Sequence, residues 1–259
     1  MSLNKKGLKL RHSSFVSIII YITLFFGILH DTLGLPGLIL FFNDFLLVLG
    51  VIFSGKKIIK NNRESLIYLL FFLLYTFITY ISNYQSIFYY LYGVRNYFRY
   101  YVFFLLTATT FKEKDIVSKL DFFDRFFYAN CVVMLIQYYF FGLEQDHLGG
   151  FFGTSYGCNG SLNVLFVIIT AKSLVYTLDN KETLKSCIIK CGLCILLSAY
   201  AELKVYYFEF IVILLFVFIM TGFSFKKLFI VITSIIGVIV GVYLLVSLFP
   251  GFAGFFTYE

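Results

Sequence analysis

Leu66-Ile-Tyr-Leu-Leu-Phe-Phe-Leu-Leu-Tyr-Thr-Phe-Ile-Thr-Tyr-Ile81 is an uncharged apolar run that follows directly on a basic cluster, Lys56, Lys57, Lys60 and Arg63. A membrane-spanning helix needs about 20 apolar residues, with a range of roughly 17 to 25. The next basic cluster, Lys112, Lys114, Lys119 and Arg125, comes after room for two such helices. The same alternation runs along the whole chain. Further clusters are Lys5, Lys6, Lys9 and Arg11; Lys181, Lys185 and Lys190; and Lys226 with Lys227, so that all but four of the 21 Lys and Arg residues are clustered. Basic residues between spans collect on the cytoplasmic side, which places every cluster inside.

Composition agrees. Hydrophobic residues make up 60% and charged residues 14% of the chain, with a mean hydropathy of +0.89; a soluble domain carries about 25% charged residues. The net charge of +7 is dispersed in loops between apolar runs. A nucleic-acid footprint needs a contiguous basic patch, so the charge reads as topology and no nucleic-acid partner is expected. Of the five cysteines, Cys187, Cys191 and Cys194 share one helical face, Cys131 is in another expected helix and Cys158 is in a loop. They have neither the pairing of a disulfide framework nor the spacing of a zinc site. No glycine-rich phosphate loop is present, and no metal or cofactor is expected.

The expected fold is therefore all-α, a polytopic membrane bundle forming a single transmembrane domain over residues 1–259, with its amino terminus in the cytoplasm. Nine spans are expected: Ser14 to Leu29, Leu35 to Phe53, Leu66 to Ile81, Phe88 to Phe111, Phe126 to Phe141, Ser161 to Leu178, Cys187 to Ala201, Val205 to Phe223 and Leu228 to Phe249. Gly34 and Pro36 mark a tight external turn between the first two. The first span has a basic n-region but a long run with large aromatics and no small-residue cleavage site, so it reads as a retained helix and not as a signal peptide.

Against this layout the four unclustered cations, Arg95, Arg99, Lys172 and Lys204, become informative. Arg95 and Arg99 are four apart and project from one helical face, about 6 Å apart along the axis, in the outer half of the fourth span. Two readings stand. The segment Phe88 to Tyr97 lies along the outer interface, where Tyr is favoured and Arg snorkels to headgroups; or the paired guanidiniums face an external water-filled cavity and hold a diphosphate, which Arg grips in a bidentate way. Lys204 stands at the outer junction of the seventh and eighth spans, two residues after Glu202, and the two meet only if the chain turns tightly there. Glu209 within the eighth span and Asp44 within the second are carboxylates that need donors. Lys172 reads as a snorkelling residue at the cytoplasmic end of the sixth span.

The external stretch Leu143 to Gly160 is glycine-rich, which forbids a regular helix and lets the backbone approach a ligand or another helix closely. His147 within it can titrate near neutral pH.

The string Gly149-Gly-Phe-Phe-Gly153 before a span, the preceding Arg-bearing span, and the short polar turn Ser198 to Lys204 together resemble the bacterial O-antigen polymerase and O-antigen ligase superfamily. Those are polytopic inner-membrane enzymes that use undecaprenyl-diphosphate-linked sugars at the outer face. The resemblance implies that Arg95, Arg99 and Lys204 hold the lipid diphosphate, that Gly149, Gly150 and Gly153 shape the loop backbone, and that His147 and Glu202 serve the acceptor side. It implies an undecaprenyl-diphosphate-linked oligosaccharide and the lipid bilayer as partners, with other glycan-assembly membrane proteins beside them, in the making of capsule, exopolysaccharide or lipopolysaccharide. Lys204 departs from the family's Arg, keeping the charge and losing the fork. The family also continues into a large external loop where this chain reads Phe249 to Glu259, which implies a truncated product or a short member with altered function. Two other functions fit the same cations: a flippase or transporter for a lipid-linked glycan, and a non-catalytic membrane protein. The lack of an internal repeat counts against the transporter.

Overall fold

The computed structural model describes residues 12–36, 38–84, 86–220 and 225–248. Among them the chain is all-helical, with nine α-helices and no strand. These are α1 (His12–Leu33), α2 (Leu38–Asn61), α3 (Arg63–Asn83), α4 (Ile87–Thr110), α5 (Glu113–Phe141), α6 (Asn159–Leu178), α7 (Leu184–Tyr200), α8 (Lys204–Met220) and α9 (Phe225–Leu248). Each overlaps one of the expected apolar runs. The helices also extend past those runs, α2 through Lys56, Lys57 and Lys60, and α5 back to Glu113, because Lys and Glu are good helix formers in water. The first basic cluster, the tail Phe249 to Glu259 and the side chains of Lys226 and Lys227 lie outside the described residues.

The chain divides into two compact units. The first takes the amino-terminal half of α1, then α2, α3 and α4; the second takes residues 25–35 and 118–259.

In the first unit α2 packs chiefly on α4. Val16 and Ile19 of α1, Leu46, Leu47 and Ile58 of α2, and Val102, Leu105 and Leu106 of α4 form its core. Gly50 permits the close approach, since a methyl group there would lie 2.9 Å from a Leu106 methyl. The two helices run parallel. Asp44 near the start of α2 meets Arg95 near the start of α4, and Asn62 just after α2 donates to Thr109 near the end of α4 at 2.8 Å. α3 runs back antiparallel along α4: Ser65 at its start accepts from Tyr101, and Tyr80 near its end stacks on Tyr90 at 4.7 Å. Tyr84, in the left-handed region at φ 49°, stops it.

No residue of α3 is buried, and Phe71, Tyr75 and Ile78 are more than 60% exposed. An uninterrupted apolar surface of this extent is unstable in water and at home in lipid. α3 and α6, at 21 and 20 residues, are long and apolar enough to cross a membrane. At 1.5 Å per residue each reaches about 30 Å, the thickness of the hydrocarbon layer.

The second unit is built on α6, which packs on α7 and α8, with α9 against α7. Phe127, Met134, Phe166, Tyr206 and Phe210 are fully buried in it. Tyr206 Oη and Thr170 Oγ1 share a hydrogen bond of 2.7 Å, so the largest buried polar tip is satisfied. On α9, Gly237 and Gly241 sit four apart over Ile195 of α7; a methyl at Gly241 would lie 2.4 Å from the Ile195 side chain. Small residues at that spacing let two helix backbones approach closely.

Candidate functional site

In the first unit both arginines converge on Asp44. Oδ2 of Asp44 accepts from Arg95 Nε at 2.8 Å and from Arg95 Nη2 at 2.5 Å; Oδ1 accepts from Arg99 Nε at 2.6 Å, and Oδ2 from Arg99 Nη2 at 3.1 Å. The i, i+4 spacing on α4 brings the two guanidiniums to one face, and the parallel packing of α2 brings the carboxylate opposite them. Asp44 lies about 9 Å and Arg95 about 12 Å along their helices. The Arg95 guanidinium also lies over the Phe41 ring at 4.5 Å. All three side chains are partly exposed, between 22% and 29%. With two cations on one carboxylate the triad carries a net positive charge, and each guanidinium spends two of its five N–H groups on Asp44. The remaining donors suit an oxyanion. α4 is one continuous helix from Ile87, so Phe88 to Tyr97 belongs to the same helix as both arginines.

The second unit holds the other expected residues. Glu202 adopts φ 52° in a tight turn, and its carboxylate meets Lys204 Nζ at 3.0 Å. Glu209 on α8 accepts from Asn163 Nδ2 on α6 at 2.7 Å. His147 donates from Nδ1 to the Thr154 carbonyl at 2.9 Å, a group that only accepts, so its Nε2 is the free basic nitrogen of the neutral ring.

Lys172 corrects the snorkelling expectation. Its side chain is only 2% exposed, and Nζ pairs with Asp124 of α5 at 2.5 Å and with Asp121 at 3.3 Å. Asp124 also meets Lys190 of α7 at 3.0 Å, and Lys190 meets Glu182 at 3.0 Å. Lys190, counted from sequence in a cytoplasmic cluster, is thus buried in a network that ties α5, α6 and α7 together. Burying an ammonium without such partners costs several kcal/mol or more, which is why the partners are there.

The glycine-rich loop is a packed structure. It carries two short 3-10 turns, Gln145–His147 and Gly150–Phe152. Gln137 of α5 clasps Gly150, donating from Nε2 to its carbonyl at 3.0 Å and accepting its N–H at 2.7 Å. Asn130 accepts from the Phe151 N–H at 2.7 Å. Asp31, at the end of α1, accepts from the backbone N–H groups of Thr154 and Ser155 and from the Ser155 hydroxyl. The glycines make room for these anchors. A Cβ at Gly150 (φ 64°) would lie 2.3 Å from Asn130 Oδ1, one at Gly153 (φ 104°) 2.3 Å from Asp31 Oδ2, and one at Gly149 2.6 Å from Cys158 Sγ. Gly27 of α1 presses on the Phe152 carbonyl in the same way. Of the two roles open to Gly149, Gly150 and Gly153, approach to a ligand or to the protein, the contacts are with the protein. Phe151 and Phe152 pack with Phe25 and Phe126, at ring separations of 5.4 to 5.7 Å.

Burial raises the Asp31 carboxyl, but bonds from His30, Ser155 and the Thr154 and Ser155 amides outweigh it and hold it well below the ordinary carboxylate range. Burial, with Asp31 and Asp146 nearby, pushes the Cys158 thiol up to about 11, leaving it a neutral packing residue. Among the described residues no group of three or more His, Cys, Asp or Glu side chains is placed to hold a metal ion.

No family model, curated protein or solved structure matches this chain. The site therefore has to be read from its own chemistry. Sequence reasoning paired Arg95 with Arg99 and singled out Asp44 apart from them, without bringing the carboxylate to the two arginines, and it passed over Asp31, Asn130, Gln137 and Asp124 altogether. The signal for the latter group was available: each is a polar residue inside or at the edge of an apolar helix, where an unpaired group is costly.

Proposed function

We propose that this chain is a polytopic protein of a bacterial inner membrane that polymerises an undecaprenyl-diphosphate-linked oligosaccharide at the outer face, in the manner of O-antigen, capsule and exopolysaccharide polymerases. On this reading all nine helices span the bilayer, with the amino terminus inside. The parallel course of α2 and α4, the lipid-like exposure of α3 and the two helices of spanning length support it.

The observation that carries the functional part is the charge imbalance of the Arg95–Asp44–Arg99 triad. A purely structural staple needs one cation per carboxylate. The second cation has a use if a diphosphate docks beside Asp44, takes the unspent N–H groups and receives their help as charge develops on the leaving group. The acceptor sugar hydroxyl then attacks the anomeric carbon and undecaprenyl diphosphate departs. Lys204, already paired with Glu202, is the weaker member of the expected clamp, because its single ammonium is shared.

The test is surface-glycan length in the native host carrying Arg95→Gln or Arg99→Gln in place of the natural chain. Loss of long chains at normal protein level, with single lipid-linked repeats accumulating outside the membrane, is the expected result. Repeats held inside the membrane would instead mark a flippase, and unchanged chain length would remove the clamp.

A further inference from the structure

In an arginine the Nε–H and one Nη2–H form the side edge of the guanidinium, and Nη1–H with the other Nη2–H forms its end. All four bonds from Arg95 and Arg99 to Asp44 leave from Nε or Nη2. Asp44 therefore holds both side edges. Among the described residues neither Nη1 donates to a protein acceptor, so the unspent N–H groups of the two arginines are those at their ends. The Phe41 ring, 4.5 Å from the Arg95 guanidinium, covers one face of it and steadies it further.

We propose that Asp44 is the specificity-determining residue of the triad, a built-in counter-ion that keeps singly charged phospholipid headgroups off the two arginines while admitting a lipid diphosphate. The proposal rests on the glycan-polymerising reading above, and all of its residues belong to the first unit.

Two bare guanidiniums at a bilayer surface attract the headgroups of anionic lipids. A phosphodiester headgroup offers one negative charge shared by a pair of oxygens, which is what a carboxylate offers. Asp44 already supplies that from α2, with no separate molecule to immobilise. A headgroup that displaced it would leave a partly buried carboxylate without its donors, which is unfavourable. A headgroup that docked beside it would meet its repulsion. Asp44 repels every anion, and the repulsion is offset only for one with enough charge and oxygens to use the end donors of both arginines together. A diphosphate ester has more of both than a phosphodiester, and each guanidinium end can take two of its oxygens. Discrimination thus comes from a repulsive group placed inside an attractive site, which is how specificity between similar ligands is commonly obtained.

The experiment is native mass spectrometry of the purified full chain in detergent, offered farnesyl diphosphate and phosphatidylglycerol in equal amounts. The wild type is expected to retain the diphosphate in preference. Asp44→Asn should move the ratio of bound lipids toward phosphatidylglycerol by about tenfold or more, the worth of a hydrogen bond to a charged group. Asp44→Glu, which keeps a carboxylate, should stay near the wild-type ratio. Arg95→Gln and Arg99→Gln each leave one cation on Asp44 and should lose the diphosphate without gaining phosphatidylglycerol; with the wild-type ratio they decide the question if Asp44→Asn does not fold. A wild type that takes both lipids alike, an Asp44→Asn chain with an unchanged ratio, or a single-arginine variant that keeps the diphosphate overturns the selectivity. A carboxylate that merely staples α2 to α4 would lower the unfolding temperature of Asp44→Asn and leave the ratio where it was. Binding is read here without turnover, so a chain that shows this selectivity yet extends no glycan overturns the polymerising reading and not the role of Asp44.

Discussion

Two clusters of paired cations and carboxylates behave differently in the two units. Lys172 and Lys190 meet three carboxylates, Asp121, Asp124 and Glu182, and both lysines are buried. Arg95, Asp44 and Arg99 set two cations on one carboxylate, and all three are partly exposed. In the first arrangement no cation is left over and each ammonium is spent, so its role is to hold α5, α6 and α7. The second has an excess of cations and is open, which is what the proposed uptake of an anion requires.

Asp124→Ala is the hardest test of that contrast. It removes the carboxylate shared by two buried lysines, leaving Lys172 to Asp121 and Lys190 to Glu182, and should cost about 3 kcal/mol, the lower end of the range for breaking a buried ion pair from one side. The buried thiols Cys131, Cys187, Cys191 and Cys194 provide the readout, since a thiol-reactive dye reports their exposure on heating. Asp44→Asn in the open triad should cost less, about 1–2 kcal/mol. Equal losses would end the distinction.

Next in size is Gly150→Ala, which places a methyl on Asn130 at a positive φ and should cost roughly 1–3 kcal/mol. The same assay on Gly55→Ala, where nothing lies within 4 Å, should show no loss and a slight gain. A tolerated Gly150→Ala would mean that the loop is looser than its bonds to Asn130 and Gln137 imply.

Arg99→Lys is gentler still. It keeps the charge and loses the two-point grip on Asp44, so stability should fall by about 1 kcal/mol or less while glycan extension drops sharply. Parallel losses of stability and extension would make the triad a staple.

The smallest effect is with pH. Asp31 titrates below its ordinary value of 3.8 in the folded protein, so its contribution is complete above that value and fades only as pH falls through the lower folded one. Unfolding temperatures measured from pH 7 to pH 5 should therefore show no loss assignable to Asp31, and Asp31→Asn should remove stability equally across that window.

The helices were legible because apolar runs and basic clusters alternate on the scale of a bilayer, and each α-helix found here overlaps one such run. The pairing of Arg95 with Arg99 was legible from helical spacing alone. Their partner was not, because Asp44 is 51 residues from Arg95 and only the parallel packing of α2 on α4 brings it there. Lys172 was misread for the same reason. Sequence near it offers solvent or headgroups, while Asp124 arrives from another helix.

By itself the sequence determined which segments become helices and that they are apolar, since both follow from local composition and period. It also determined where glycines would free the backbone. Only the tertiary structure decided what that freedom serves: Gly150 and Gly153 admit Asn130 and Asp31, residues of α5 and α1. It likewise decided which charges are spent and which remain available. The physical reason is that an ion pair between helices depends on packing register, a property of two segments that neither one encodes alone.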